Sequence, residues 1–491
     1  MPAMAQCLTC GSANPVRQRH CNACGALQPG LVAAAVGGHP PAPALPADVP
    51  ALPTPEAIPL PAVQRVPAPV QQRVWAISRT HLLFALAGAT FLAAALRLMA
   101  PGSPPEGAQP IESGIIAAAK AMGDAGLWSD SAGGQPTGFI YLVGTWLALL
   151  PDSTAAARAL SAVAGIASVA VFFLFARRAW GQGVAVAGAF LMALSTWHVA
   201  FSRLSTPTAA LLLVECAAIY LLSRALSYRD DDARQRNLLI LAGLSFGLGI
   251  YIANTFFIFA ASIVVFWLRE LLAAEVPLAV GYRRLAAFAV PALIVALPYL
   301  SFMALKADMY VEETRSVLVT SSPLYTEKAG RSEQVRYVLA KTGNTAKALV
   351  WGDVEERSVR NRRVLDPLTG LLLVTGIFVA AARWRDRWCF FALALLAAGV
   401  ISGGLTQDAG TYARLAVTMP AVFALAGVAA QWLASWSEGR LTRNALIGTA
   451  VAAGALIAVV NIVFYFSGPL DPAPDLWAQS ATYSESGRWS G

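Results

Sequence analysis

Charge is what this sequence lacks most: only 13% of its 491 residues are Asp, Glu, Lys or Arg, about half of what a soluble globule carries. Histidine is nearly absent, with four residues. Cysteine is scarce outside the first 24 residues, where four of the six lie. The shortage of charge, with a mean hydropathy of +0.57, excludes a water-soluble domain of ordinary surface. The cysteine distribution excludes a disulfide framework, because Cys216 and Cys389 fall inside apolar runs and read as small buried hydrophobes. The net charge of +8 is no nucleic-acid footprint, since the arginines fall in short clusters between apolar segments.

What the chain has is long apolar runs, at about 82–100, 159–176, 183–201, 208–226, 237–253, 255–268, 286–304, 367–382, 388–404, 415–434 and 444–466. Each is near the twenty residues that cross a bilayer, so the expectation is an all-α polytopic membrane protein with about eleven transmembrane helices and outer interfacial helices. Residues 139–150 form a shorter run closed by Pro151 and are expected to lie along the outer surface. The first membrane-length run begins near Leu82, so no signal peptide is expected ahead of it.

The first 27 residues read Cys7-x-x-Cys10 and Cys21-x-x-Cys24, with Gly11 and Gly25 directly after each pair. Two such turns present four thiolates tetrahedrally, the pattern of a structural zinc ribbon with no open position for substrate. Residues 28–78 form a Pro/Ala-rich linker (Pro40, Pro41, Pro43, Pro46, Pro50, Pro53, Pro55) that reads as stiff and extended. The transmembrane domain then covers 79–466, and 467–491 form a C-terminal tail.

Basic residues orient the spans. With the N-terminus inside, the cytosolic connections carry Arg177 and Arg178, then Arg224, Arg229, Arg234 and Arg236, then Arg269, Arg283 and Arg284, then Arg383, Arg385 and Arg387, then Arg440 and Arg443. The short outer connections carry little beyond Arg203 and Arg414. That asymmetry places the N-terminus and its cysteines in the reducing cytosol and the C-terminal tail outside.

Two long segments then face outward, 101–158 and 305–366, and loops of that length are usually functional. The first is acidic (Glu106, Glu112, Asp124, Asp130, against Lys120 and Arg158); the second holds eleven basic residues, Arg357, Arg360, Arg362 and Arg363 among them, against nine acids. Basic residues opposing the insertion bias call for another explanation, and a phosphate-bearing ligand supplies one. His198, Ser202 and Arg203, then Tyr251 and Asn254, then Asp408, Tyr412 and Arg414 converge on the same side. Ionisable groups near hydrocarbon default to a functional reading.

The stretches Glu112-Ser-Gly-Ile-Ile-Ala-Ala-Ala-Lys120, Ala157-Arg158-Ala-Leu-Ser-Ala-Val-Ala-Gly165, Ala176-Arg-Arg-Ala-Trp-Gly181, Ser195-Thr-Trp-His198 and Phe201-Ser-Arg203 resemble the N-terminal half of the GT-C glycosyltransferase superfamily. More narrowly, they are similar to bacterial relatives of protein O-mannosyltransferases and of the aminoarabinose transferase. Gly243-Leu-Ser-Phe-Gly-Leu-Gly-Ile-Tyr251, Trp351-Gly-Asp353, Arg360-Asn361, Leu365-Asp-Pro-Leu-Thr-Gly370, Arg414 and Pro420 fit the same branch, so the resemblance spans nearly all of 80–466. It implies a transferase of a bacterial inner membrane that moves a sugar from a polyprenyl-phosphate donor to a lipid, glycan or protein acceptor at the outer face. It does not decide whether a divalent metal takes part.

Under that resemblance Glu112 is the candidate general base, and Arg203, His198, Arg414, Arg360, Asn361 and Tyr251 are candidate substrate or phosphate ligands. Two positions depart from the family: its loop aspartate falls on Ile111, and its His-Pro-Pro is here Gln135-Pro136-Thr137. Two other function classes fit the composition. A transporter or flippase of lipid-linked substrate would show internal repeats and mid-membrane charges; no convincing repeat is visible, and Glu215 is the chief such charge. A non-catalytic scaffold would use the cysteine module to recruit a cytosolic protein partner.

Overall fold

Apolar sequence in lipid must satisfy its backbone internally, and helix is how this chain does so. The computed structural model describes residues 4–6, 13–15, 78–99, 110–125, 136–228, 232–273, 277–328, 330–351, 364–406, 414–437 and 440–467. The four N-terminal cysteines, the Pro/Ala linker, Asp130, Arg360, Asn361, Asp408, Tyr412 and the tail beyond 467 lie outside the described residues. The chain divides into two units, Met1–Gln71 and Gln72–Gly491. In the first, two short antiparallel strands, β1 (Met4–Gln6) and β2 (Ala13–Pro15), pair Ala5 with Asn14.

The second unit is helical: α1 (Arg79–Leu98), α2 (Pro110–Ala125), α3 (Gly138–Leu149), α4 (Thr154–Ala179), α5 (Gln182–Leu194), α6 (Thr196–Arg203), α7 (Pro207–Ala225) and α8 (Asp232–Leu248) come first. After a 3-10 turn (Gly249–Tyr251) follow α9 (Phe256–Leu272), α10 (Leu278–Leu305), α11 (Ala307–Val317), α12 (Pro323–Thr326), α13 (Arg331–Trp351), α14 (Pro367–Ala382), α15 (Arg387–Leu405), α16 (Met419–Ser437) and α17 (Arg443–Ser467). Each of the eleven apolar runs is helical. Among the described residues, seven helices are long and apolar enough to cross a membrane, and an eighth span results if the bent pair α5 and α6 counts as one. The chain is thus a multi-pass membrane protein. The run at 139–150 forms the short helix α3.

Small residues let the central helices approach. A Cβ on Gly188 of α5 would stand 2.8 Å from the Phe423 carbonyl of α16, and one on Gly427 would stand 2.8 Å from the Val184 carbonyl of α5. α16 is accordingly the most enclosed span, with Met419, Val422, Phe423, Ala424, Leu425 and Ala426 fully buried.

The third apolar run does not form one straight helix: α5 and α6 meet at Ser195 with a 57° bend. Breaking a helix inside an apolar bundle strands backbone groups that need polar partners. Arg97 of α1 supplies one, its Nη1 donating to the Ala193 carbonyl at 3.2 Å. Asn461 of α17 supplies the other, its Oδ1 accepting the Thr196 N–H at 3.0 Å. The Asn461 amide donates in turn to Asp366 Oδ2 at 3.0 Å. Asp366 caps α14 by accepting the Thr369 N–H at 3.0 Å, so three distant helices are tied at the break.

Replacing Asn461 with Leu, which keeps the shape and removes both bonds, leaves the Thr196 N–H unsatisfied; the expected cost is about 1–3 kcal/mol, read as a lower thermal midpoint in detergent. An unchanged midpoint would show that the break is held by something else.

Candidate functional site

Of the polar residues singled out in the sequence, Glu112, His198 and Arg203 come together around α6 and the short connector 204–206. Glu112, in the first turn of α2, is fully buried, and Arg158, in the first turn of α4, is 3% exposed. They form a two-pronged pair, Arg158 Nε donating to Oε1 at 2.8 Å and Nη2 to Oε2 at 2.7 Å. The Ser205 N–H, just past α6, donates to the same Oε1 at 2.9 Å. This geometry is the strong form of guanidinium–carboxylate contact. It ties α2 to α4 and to the α6–α7 connector.

Arg203 closes α6 and finishes α1. Its Nη1 donates to the carbonyls of Leu96 at 2.9 Å and Met99 at 2.7 Å. These are C-terminal carbonyls of α1, where the helix dipole favours a cation. The Phe466 and Tyr465 rings of α17 flank the same guanidinium, at 5.4 and 5.7 Å from ring centre to Cζ. Arg203 is 3% exposed, so its first role is to lock three helices together.

His198 is buried between Arg97 and Ser168. Arg97 Nη2 donates to His198 Nδ1, and arginine has no acceptor, so the ring carries its proton on Nε2. That Nε2 donates to Ser168 Oγ at 3.0 Å, and Ser168 donates to the Gly165 carbonyl at 2.8 Å. Gly165 is required here, because a Cβ would collide with the Ser202 side chain and reach 3.4 Å from Arg97 Nε.

Tyr251 closes the 3-10 turn after α8. Its hydroxyl donates to the Val295 carbonyl at 2.7 Å, and its ring packs 5.5 Å from that of Tyr299. Gly138, the first residue of α3, sits against the Tyr251 backbone with no room for a Cβ. In the second excursion, Tyr310 donates to the Tyr299 hydroxyl at 3.3 Å, and burial pushes the Tyr310 phenol above its ordinary value. That excursion reaches α15 through an isolated bridge between Leu318 and Thr406 and through Thr342, which packs on Gly404. Arg414 is half-buried just ahead of α16.

The structure therefore gathers Glu112, His198 and Arg203 into one network and sets Tyr251 against the first residue of α3. Arg360 and Asn361 lie outside the described residues. Arg97, Ser168, Asn461 and the pairing role of Arg158 escaped sequence reasoning. The missed signal for Arg97 was a charge in the last turn of an apolar run, easily read as an interfacial anchor. Glu215, the mid-span acid, lies in α7 outside this network, fully buried and with neither oxygen hydrogen-bonded among the described residues.

Chemically, the network offers a carboxylate, an imidazole and three guanidinium groups in a water-poor setting. Such a setting strengthens any electrostatic contact with a substrate.

Residues 134–302, about a third of the chain, match the family model described as dolichyl-phosphate-mannose-protein mannosyltransferase. Comparison with curated sequences gives no match. Among solved structures, the archaeal oligosaccharyltransferase AglB from Archaeoglobus fulgidus, in complex with an inhibitory peptide and a dolichol-phosphate, superposes with a TM-score of 0.51 at 14% identity. That match covers 82% of this chain and 55% of the archaeal one, so the chain spans about half the length of that relative. ArnT from Cupriavidus metallidurans, bound to undecaprenyl phosphate, is similar at 16% identity with a TM-score of 0.48, over 79% of this chain and 70% of its own. The likeness to AglB establishes a shared fold.

Replacing Arg158 with Met leaves the Glu112 carboxylate buried without its partner, an expected loss of about 3–5 kcal/mol. Adding Glu112→Leu should restore most of it. Measured by thermal unfolding in detergent, additive losses in the double variant would show that the two side chains do not act as a pair.

Proposed function

We propose that this chain is a glycosyltransferase of a bacterial plasma membrane, transferring a sugar from a polyprenyl-phosphate donor to an acceptor at the outer face. The observation that supports it most is that the family match at 134–302 takes in α3 through most of α10, and with them Arg158, His198, Arg203, Ser205 and Tyr251. A lipid-linked donor is met in the membrane plane, its phosphate needs cations at the interface, and the acceptor hydroxyl needs a base.

Glu112 is the proposed base. Arg158 and the Ser205 N–H hold its carboxylate in place, and a carboxylate so placed is the group type that takes the proton of an acceptor hydroxyl. Arg414, with Arg360 and Asn361 of the second excursion, is the proposed contact for the donor phosphate, alongside the cationic field of Arg203. His198 and Tyr251 position the backbone around it. In this reading the eleven apolar runs all cross; α8 and α9, with 17 residues each, reach the lower limit for a span, and α14, with 16, crosses with its flanking residues. The N-terminus is then cytosolic and the C-terminal tail outside.

A second reading is supported by Ile111 at the position of the family aspartate and by the full burial of Glu112: a lipid-phosphate-binding scaffold without turnover. Reconstitution of the full chain with a polyprenyl-phosphate sugar and membrane extract separates them. The enzyme releases free polyprenyl phosphate, and Glu112→Gln abolishes release while the thermal midpoint shows a folded protein. Full activity in that variant would remove Glu112 from the base role, and donor binding without release would establish the scaffold.

The N-terminal module is proposed to hold one structural zinc. β1 and β2 bracket the segment carrying Cys7 and Cys10, and two thiolate pairs are a donor set suited to that metal. A cytosolic protein is its proposed partner. Elemental analysis of the purified chain is expected to give one zinc, lost in Cys7→Ser/Cys21→Ser; equal zinc in that variant would refute the site.

A further inference from the structure

Where a serine or threonine is buried inside a helix of this bundle, its hydroxyl can turn back on a carbonyl of the preceding turn. Ser168 donates to Gly165 at 2.8 Å, Ser223 to Tyr220 at 2.7 Å, Ser262 to Ile258 at 3.0 Å and Thr418 to Leu415 at 2.7 Å. Two residues break the habit. Among the described residues, Ser205 Oγ and Thr206 Oγ1 are the buried hydroxyls that no protein group answers, and they are consecutive.

Both lie in the connector between α6 and α7, whose extended backbone at Leu204 and Thr206 offers no preceding turn to bond. Ser205 is 0% exposed and Thr206 1%. The backbone around them is engaged: the Ser205 N–H holds Glu112 Oε1 at 2.9 Å, the Thr206 N–H meets the Leu204 carbonyl at 2.8 Å, and the Thr206 carbonyl accepts from Ser161 Oγ at 3.2 Å. Thr206 is also the N-cap of α7, the position where a threonine hydroxyl ordinarily accepts an N–H of the first turn. It makes no such bond here, and Pro207 removes one of those N–H groups.

A buried hydroxyl without a partner is costly, and native interiors pair nearly all of theirs. Two adjacent ones beside a fully buried carboxylate therefore point to a ligand that the chain itself does not supply. Its chemistry follows from the surroundings. The Glu112 carboxylate, bonded to the Ser205 N–H, disfavours an anion, and Arg158, paired to that carboxylate, disfavours a cation. A hydroxyl both donates and accepts, so the group that answers it best does the same. With both side chains enclosed, only a small group can reach them. An O–H group meets these conditions, whether it belongs to water or to the end of an alcohol.

We propose that Ser205 Oγ and Thr206 Oγ1 bind neutral O–H groups, which places one such group beside Glu112 whether or not the chain turns over a donor. The test is a cryo-EM map of the full chain in lipid nanodiscs, at a resolution that shows ordered water, in buffer without alcohols and again with glycerol. An oxygen peak about 2.5–3.0 Å from Ser205 Oγ is expected without alcohol and identifies water; a peak only with glycerol assigns the place to an alcohol. No peak in either map would overturn the site. Thermal unfolding in detergent is the second measurement. Ser205→Ala/Thr206→Val costs α7 no cap bond, since Thr206 makes none, so the expected fall in midpoint reports the lost ligand contacts. An unchanged or higher midpoint would show that the two hydroxyls bind nothing, and would equally overturn the site.

Discussion

The bend at Ser195 is the constraint on which the rest of the bundle depends. An apolar run long enough to cross as one helix instead breaks after α5, and the freed carbonyl and N–H must find polar partners where there is little water. Arg97 and Asn461, from helices more than 350 residues apart in sequence, provide them. Because α6 then leaves at 57°, its side chains point into the end of the bundle. His198 meets Arg97, Arg203 meets the end of α1, and the connector after α6 delivers the Ser205 N–H to Glu112. A straight helix would carry these residues along the span axis.

The pairing of Glu112 with Arg158 follows from the same placement. A carboxylate buried this completely is tolerable only with charge-assisted donors on it, and Arg158 and the Ser205 N–H supply them. The cluster is therefore pre-organised: its groups are held before any ligand arrives, a property that favours transition-state stabilisation and equally favours tight, unproductive binding. Chemistry at this site turns on whether the Glu112 carboxylate meets an acceptor hydroxyl.

Much of the scaffold was legible because hydrophobicity is a one-dimensional signal. All eleven apolar runs proved helical, and the dozen residues at 139–150 proved to be the short α3. What sequence could not give was partnership. Nothing in Glu112 or Arg158 announces a contact across 46 residues, nor in Asn461 that it completes a helix turn at Thr196. Nor does Arg203 announce that its Nη1 meets the carbonyls at the end of α1. The bend itself left no proline or glycine at Ser195 to mark it.

Every functional element of this account shares one premise: the two long excursions emerge on the same face of the membrane, opposite the connection between α7 and α8. In a chain whose native cysteines are replaced by serine, single cysteines at the exposed positions Asp152, Ser332 and Ala233 report it directly. A membrane-impermeant thiol reagent applied to intact cells should label positions 152 and 332, and should label 233 only after permeabilisation. Labelling of 233 from outside, or of 152 and 332 from opposite sides, would contradict it.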